Sequence, residues 1–594
     1  MQTVEPQLTA NALRVLEVRY LRRDGAGRIV ETPRQLFERV ARAVSEAELI
    51  HGSAVAAHRW EARFLEMLTA LEFLPNSPTL MNAGTPLGQL AACFVLPVDD
   101  NMESIFGTLR DMALVQRTGG GTGFSFSRLR PAGELVASTG GMASGPVSFM
   151  KVYDAATEHI KLGGRRRGAN MGVLRVDHPD IEEFINAKRD GISLRNFNLS
   201  VAVTDAFMAA VASGDDIALR HPRDGREVGR RSARALFDAI CDAAWATGDP
   251  GLLFLDRINR DHPLSALGQI ESTNPCGEVP LLPYEACNLG SINLARLVIE
   301  RDGEPHLDWD RLRRLVHDGV RFLDDVITVS RYPLSETMAI VQANRKIGLG
   351  VMGFAEMLIR LGVSYADDAA VRIAADIASF MAREARAASA QLAEERGPFP
   401  NWEKSVYVTS GLRLRNATLL SIAPTGTLSI IAGTSSGIEP LFALAYHRYA
   451  LDGRVLTEWN PLAVRELERR GLATDEVLQA IARYGRLAAV PGIPLDLRRL
   501  FVTALEVAPD QHVRIQAAFQ SAVDNAVSKT VNLPQEATPA DIAAVYRLAH
   551  RLGCKGITVF RYGSTGTQVL ELGAGEEPYE REHFVRCDPG ACKL

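Results

Sequence analysis

Seven cysteines are spread over 594 residues, and two of them, Cys276 and Cys287, fall eleven positions apart in STNPCGEVPLLPYEACNLGSINL, residues 272–294. Pro275 and Gly277 flank Cys276; they suit a tight loop and disfavour a strand interior or a mid-helix position. A cysteine so placed is presented rather than packed, although a loop cysteine met alone is more often a small buried hydrophobe. Asn274 and Glu278 lie two residues to either side, so an extended segment would turn all three side chains to one face. The chemistry on offer is a sulfur, a hydrogen-bonding amide and a proton acceptor in one pocket. Cys93, at the start of the apolar run in AACFVLPVDD, reads on its own as core. In VRCDPGACKL, Cys587 and Cys592 stand five positions apart around a Pro-Gly turn. A close pair on a mobile arm suits thiol-disulfide exchange. As a metal half-site it would need two more ligands and finds only His583 nearby, so no metal site is expected.

Other stretches suit anions. SIAPTGTLSIIAGTSSGIEP, residues 421–440, is rich in Gly, Ser and Thr, whose backbone N–H groups and hydroxyls can hold phosphate without net positive charge. It has no Gly-Lys-Ser/Thr and is no Walker A loop. NSPTLMNAG, residues 76–84, reads as a second hydroxyl-rich turn, and LGGRRRGANMG, with Arg165, Arg166 and Arg167, as a solvated or anion-binding loop.

These groups need elements to position them. In ETPRQLFERVARAVSEAEL, Thr32 as N-cap, Pro33 at the first turn and Gln35 closing a capping box predict an amphipathic helix. FNLSVAV predicts a strand leading into a helix capped by Thr204 or Asp205 and closed by Gly214. A long helix ends at Gly397-Pro398, and TPADIAAVYRLAHRLG predicts a helix followed at once by the strand ITVF. Strands alternating with helices imply a parallel α/β core. The portion from about residue 443 to 500 reads as a helix-rich insertion, and the polar tail after Gly563 as mobile. Cys241 and Cys554 read as packed thiols.

Bulk composition narrows the partners. With 66 Lys+Arg against 71 Asp+Glu, the net charge of -5 speaks against nucleic acid or an anionic membrane. The first thirty residues carry no export signal, no apolar run is long enough to span a bilayer, and a cytoplasmic location is the default.

In order along the chain, NSPTLMNAG, AACFVLPVDD, GGTGFSFSRLRP, GGRRRGANMGVLRVDHPDI, NPCGEVPL with its following cysteine, and APTGTLSIIAGTSSGIEP carry a resemblance. From about residue 8 to 563 the chain resembles the catalytic subunit of ribonucleotide reductases, most closely the adenosylcobalamin-dependent class II enzymes. The resemblance implies an N-terminal helical region over 1–75, a ten-stranded α/β barrel with a central finger loop over 76–563, and a flexible redox tail over 564–594. It implies that Cys276 is the thiyl radical site that abstracts the ribose 3'-hydrogen. Glu278 would be the general base for the 3'-hydroxyl, and Asn274 would hold the ribose hydroxyls. Cys93 and Cys287 would be the redox pair, re-reduced by Cys587 and Cys592 and, beyond them, by thioredoxin or glutaredoxin. Substrate contacts would come from Ser77, Ala92, Cys93, Gly121, the 274–278 loop (Asn274, Pro275, Cys276, Gly277, Glu278) and Pro424, Thr425, Gly426, Thr427 and Leu428. Asp100 and Arg130 match positions that bind a deoxynucleotide or ATP effector, with the loops 162–172 and 187–198 setting specificity.

Three radical sources separate the classes of that family. A class I subunit needing a metal-containing partner would import the radical through adjacent tyrosines, yet KGITVFRYG has Phe560 and Arg561, and no Tyr-Tyr pair occurs. Phenylalanine has no phenolic proton to give up. The glycyl radical class characteristically lacks the Glu278 and Cys287 pattern. A cobalt–carbon bond remains, so adenosylcobalamin is the expected cofactor. DQHVRI, residues 510–515, lacks the glycine of a D-x-H-x-x-G cobalt-ligand signature. The core pattern begins early enough that no ATP-binding activity domain is expected. Diphosphate substrates and a homodimer are the family expectation for a chain of this pattern.

Overall fold

The computed structural model describes residues 5–136, 140–162, 166–450, 454–564 and 570–573. The tail cysteines Cys587 and Cys592, and Arg165, lie outside the described residues.

Local signals of the N-terminal part act as the residue types dictate. Helix Pro33–Ser45 opens on Thr32, whose side chain accepts from the Gln35 N–H while Gln35 returns a bond to the Thr32 N–H. Its apolar face, Leu36, Phe37, Val40 and Val44, is wholly buried and packs on helix Ala54–Thr69. NSPTLMNAG is not an open turn. Asn76 caps a short helix, Ser77–Asn82, by accepting from the Thr79 N–H at 3.0 Å, because an Asn followed by proline at N2 is a helix start.

Ten strands form one mixed sheet. In chain order they are β1 (Phe73–Pro75), β2 (Cys93–Val95), β3 (Gly121–Ser125), β4 (Asn170–Arg175), β5 (Phe197–Val203), β6 (Gly251–Phe254), β7 (Ala286–Asn293), β8 (Ile347–Met352), β9 (Thr530–Leu533) and β10 (Gly556–Arg561). Strands β2 to β6 run parallel as neighbours, as do β7 with β8 and β9 with β10. The wholly parallel core expected from alternation is corrected here: β7 meets β1 and β2 antiparallel, and β10 meets β6 antiparallel. Alternation of strands with helices predicts parallel neighbours only within each run, and says nothing about how two runs join. Single parallel bridges, Leu349 with Leu420 and Ile422 with Val527, lead from β8 through residues 420–422 toward β9.

Helices cover the outside of the sheet. Helix Trp309–Val329 lies on β7 and β8 with its apolar face buried, and helix Asp368–Arg396 packs on that helix. The latter ends at Gly397, as its sequence predicts. Helix Asp205–Ser213 has the expected Thr204 cap and a left-handed Gly214. The 443–500 portion is not helical throughout: it starts with a hairpin, Ala445–Ala450 against Arg454–Trp459, before three helices follow. Cys241 and Cys554 are buried, as expected of packed thiols.

Candidate active site

Between β6 and β7 the chain forms a small hairpin, Ser272–Thr273 paired with Pro280–Leu281, whose tip carries residues 274–279. It lies against the inner face of β3, and the glycines of GGTGF make that possible. A Cβ on Gly123 would stand 1.7 Å from the Thr273 carbonyl oxygen, and one on Gly121 would stand 2.9 Å from Pro275 Cγ. Only strand positions without side chains admit the hairpin so closely.

The tip is a tight turn, not the extended segment that alternation suggested. Asn274 holds it: its carbonyl accepts from the Gly277 N–H at 3.0 Å and its Oδ1 from the Val279 N–H at 2.9 Å. Gly277 takes a left-handed φ of 81°, which a side chain would resist. Three residues therefore part company. Cys276 is exposed at the tip, whereas Asn274 and Glu278 are buried beneath it. The Asn274 Nδ2 reaches back to the Cys93 Sγ at 3.2 Å. Asn198 steadies the other side by donating to the Pro275 carbonyl at 2.7 Å.

Cys93 and Cys287 are directly opposite each other across the antiparallel β2–β7 ladder. Opposed residues of such a ladder have Cα atoms roughly 4.5–5.5 Å apart, inside the range a disulfide spans. Both thiols are buried and reduced, among Val95, Val279, Leu281 and Leu289. Burial pushes both well above an ordinary thiol, and for Cys93 the nearby Glu278, Cys287 and Cys276 add to the rise. Glu278 is fully buried, its Oε2 has no hydrogen-bond partner among the described residues, and burial pushes its carboxyl up to about 7. A group with that affinity gives or takes a proton near neutrality.

Cys276 opens onto a cavity of about 1250 Å³. Pro275, Gly277, Pro424 and Gly426 share its wall. Asn274, Glu278, Cys93 and Cys287 lie buried behind the turn. Other predicted contacts are engaged within the protein. Ser77 Oγ and Tyr20 Oη share a bond of 2.7 Å, and the Ala92 carbonyl accepts from the Gly121 N–H. Thr425, at φ 54°, accepts from the Gly437 N–H, Thr427 accepts from Arg19, and Leu428 opens the short helix to Ala432. Asp100 and Arg130 pair with each other through both carboxylate oxygens, with Arg223 on the same carboxylate. Burial opposes ionisation there, but the two guanidiniums hold the Asp100 carboxyl below its usual range.

The ion pairs around the wall escaped sequence reasoning, although Lys188, Glu439 and His512 fall in stretches it named. Lys188 pairs with Asp249 at 2.6 Å. Lys529, wholly buried, donates to Glu439 at 2.5 Å and to His512 Nδ1 at 3.0 Å. Nothing local marks these pairs, since their partners are tens of residues away. His512 also bonds the Ala504 carbonyl through Nε2, and burial followed by the Lys529 charge keeps it neutral. Both its ring nitrogens are engaged in hydrogen bonds.

An exposed cysteine on an internal hairpin, with a buried acid and a facing thiol pair behind it, is an arrangement that suits thiol-based redox chemistry on an α/β sheet. Sequence comparison gives the family. The family profile for the ribonucleotide reductase barrel domain matches residues 91–413 and 408–560, and that for the all-alpha domain matches 6–88. The chain belongs to the ribonucleotide reductase family. It is 54% identical over 571 residues to a vitamin B12-dependent ribonucleoside-diphosphate reductase of Mycobacterium tuberculosis, covering 96% of this chain and 80% of that one. A protein of the same name from Thermoplasma acidophilum is 47% identical, covering 97% and 82%. Among solved structures, the Actinobacillus ureae class Id ribonucleotide reductase alpha subunit superposes with a TM-score of 0.76 at 22% identity, covering 94% of this chain and 98% of that one. At that identity the likeness is one of fold. Among the described residues, no helix is long and apolar enough to cross a membrane.

Proposed function

We propose that this chain reduces ribonucleoside diphosphates to 2'-deoxyribonucleoside diphosphates for DNA synthesis and repair, with adenosylcobalamin as cofactor. The observation that carries the reading is Cys276, exposed in the large cavity directly above a buried Asn274, Glu278 and the Cys93–Cys287 pair.

The cavity wall fits the cofactor. Phe442, Tyr446 and Trp459 line it together with Ser435, Ser436, Gly433 and Ala443, a mixture of aromatic surface and polar groups that suits a broad macrocycle rimmed by carboxamides. These residues would hold it beside the hairpin tip. When bound, the group would supply the one-electron oxidant for Cys276. Strand β10 supports this source over a relay of tyrosines: Phe560 lines the cavity, and the Arg561 guanidinium lies 4.2 Å from the Trp245 ring centroid.

Cys276 then takes the 3'-hydrogen of a ribose seated above the turn. Glu278, poised near 7, takes the 3'-hydroxyl proton as the radical weakens that bond. Asn274 orients the ribose hydroxyls and keeps Cys93 in register. Cys93 gives its proton to the departing 2'-hydroxyl, and Cys93 and Cys287 end as a disulfide. The wall at Pro424 to Leu428 receives the phosphates. The bridges through residues 420–422 support a reading of the sheet as a barrel around the hairpin, with the hairpin as its finger loop. Cys587 and Cys592 restore the pair, with thioredoxin or glutaredoxin behind them. Asp100 and Arg130 form the effector site, and the exposed Met102 and Phe106 of helix Met102–Arg117 suit a homodimer face.

Purified chain should reduce a ribonucleoside diphosphate with adenosylcobalamin and dithiothreitol alone, and Cys276→Ser should remove turnover while nucleotide binding persists. Dependence on a second protein subunit, or turnover by the serine variant, would sink the reading.

A further inference from the structure

Two carbonyls bracket Cys276, and both are held from outside the hairpin. The Glu278 carbonyl accepts from Ser421 Oγ at 2.9 Å and from the Ala526 N–H at 2.9 Å. On the other side the Pro275 carbonyl accepts from Asn198 Nδ2 at 2.7 Å. That oxygen lies in the peptide plane that also contains the N and Cα of Cys276, so holding it fixes where the Cys276 side chain starts. Asn198 is the exposed position of β5, whose other residues are buried, and it lines the cavity together with Pro275 and Cys276. A side chain so exposed adds little to packing, and its amide is free to hold the hairpin.

One ion pair pins the Asn198 backbone on both sides. Lys188 Nζ donates to the Phe197 carbonyl at 2.7 Å, the Leu199 N–H donates to Asp249 Oδ1 at 2.9 Å, and Lys188 donates to Asp249 Oδ2 at 2.6 Å. The first contact holds the peptide plane before Asn198 and the second holds the plane after it, so neither φ nor ψ of that residue is free. Only 18% of each charged side chain is exposed, and bonds so shielded from water are stiffer than surface ones.

We propose that Asn198 is a positioning residue for the Cys276 thiol, and that the Lys188–Asp249 pair is the clamp that holds Asn198 to that task. This rests on the reading of Cys276 as the reacting sulfur. Hydrogen abstraction needs the sulfur about 3–3.5 Å from the atom it attacks. The turn bonds from Asn274 to Gly277 and Val279 keep the shape of the tip, but they do not set its place over the cavity. With the Pro275 carbonyl bound, the χ1 torsion of Cys276 is what remains to place the sulfur. With that carbonyl released, the tip can tilt as a unit on the anchors at Asn274 and Glu278.

The test uses the whole chain. It measures kcat with a ribonucleoside diphosphate, adenosylcobalamin and dithiothreitol, nucleotide affinity by equilibrium dialysis, melting temperature, and, on the chain alone, amide hydrogen exchange of the peptide 274–279. Asn198→Ala removes the donor, and Asn198→Asp keeps the shape but turns an acceptor toward the carbonyl. Both should lower kcat about tenfold to a hundredfold, the cost of a misplaced reacting atom. Both should also speed exchange at the Gly277 and Val279 amides, with affinity and melting temperature at the parental values. Lys188→Met should lower kcat in the same sense, and combined with Asn198→Ala it should add nothing, because the clamp acts through that one amide. Parental kcat in the Asn198 variants, or parental exchange at the tip, would overturn the proposal. So would a loss matched by weaker nucleotide binding, which makes Asn198 a substrate contact, or losses from Lys188→Met and Asn198→Ala that multiply. An inactive parent overturns the reading of Cys276 instead, and the exchange measurement then decides by itself whether Asn198 holds the tip.

Discussion

Glu278 is a carboxyl placed where its charge is costly. An ordinary Glu titrates near 4.5, and burial raises this one to about 7. Between those values the folded chain keeps a proton that the unfolded chain has released, so this group makes stability fall as pH rises from about 4.5 to about 7. Above about 7 the whole cost is present, and below about 4.5 none of it is. The same displacement makes Glu278 useful, since a base that must accept a proton near neutrality gains from being held there. Glu278→Gln keeps the shape and removes the titration. It should raise the melting temperature at about pH 8, by an amount corresponding to on the order of 3 kcal/mol at most, and leave it unchanged at about pH 4. Equal shifts at both pH values, read by scanning calorimetry, would show that packing and not charge decides. Catalytic turnover of the parent should rise with pH through the same neighbourhood, because only the ionised form can take the 3'-hydroxyl proton.

Elements place these residues, and the hairpin 272–281 is the most exacting of them. Its Thr273 carbonyl occupies the space where a Cβ of residue 123 would stand. Backbone on both sides leaves no rotamer to relieve the clash. Gly123→Ala should therefore lower stability by about 1–3 kcal/mol or more and reduce turnover, whereas Gly25→Ala, with open space around it, should do neither. A Gly123→Ala chain with the parental denaturation midpoint would refute the close approach. This contact also shows what the sequence could tell. Helices announce themselves through near neighbours: Thr32 with Gln35, Thr204 with Gly214, and Gly397 at the stop are read within one or two turns. Gly123 and Thr273 are separated in sequence by β4, β5 and β6 and the helices between them, and nothing near either predicts the other. Likewise Pro275 and Gly277 correctly imply a tight loop, but the burial of Asn274 and Glu278 below an exposed Cys276 follows from the turn's own hydrogen bonds and not from period-two alternation. The opposition of Cys93 and Cys287 is a matter of strand register, and entered the sequence reading through family resemblance alone. The antiparallel joins of β7 and β10, and the hairpin at 445–459, had no local mark strong enough to override an α/β pattern.

At the scale of the molecule, one buried ionic cluster ties the N-terminal helices to the sheet that carries the thiols. Arg396, at the end of helix Asp368–Arg396 and 1% exposed, bonds Glu48 at 2.6 Å, Asp324 at 2.9 Å and Asp325 at 2.7 Å. Arg345 and Arg415 join it on Asp324. Burial works against ionisation of Asp324, but the three guanidiniums outweigh it and hold that carboxyl well below its usual range. Asp325 has only Arg396, with Glu48 and Asp324 adding to the cost of a second charge, and burial pushes it upward. The charge is therefore on Asp324, and its stabilising share is present above the ordinary Asp range and is lost as pH falls through the depressed folded value. Arg345 directly precedes Lys346, whose carbonyl receives the Cys287 thiol, and then β8, so the clamp fixes the backbone one residue from the redox pair. Removing one member of such a cluster strands buried charges, which typically costs about 3–5 kcal/mol. Arg396→Met should lose about that much in urea unfolding. It should also speed amide hydrogen exchange in helices Pro33–Ser45 and Ala54–Thr69 and slow dithiothreitol-driven turnover by loosening β8 against β7. Unchanged exchange in those helices, with a parental unfolding midpoint, would mean that apolar packing alone joins the two parts and that the cluster serves neither stability nor the site.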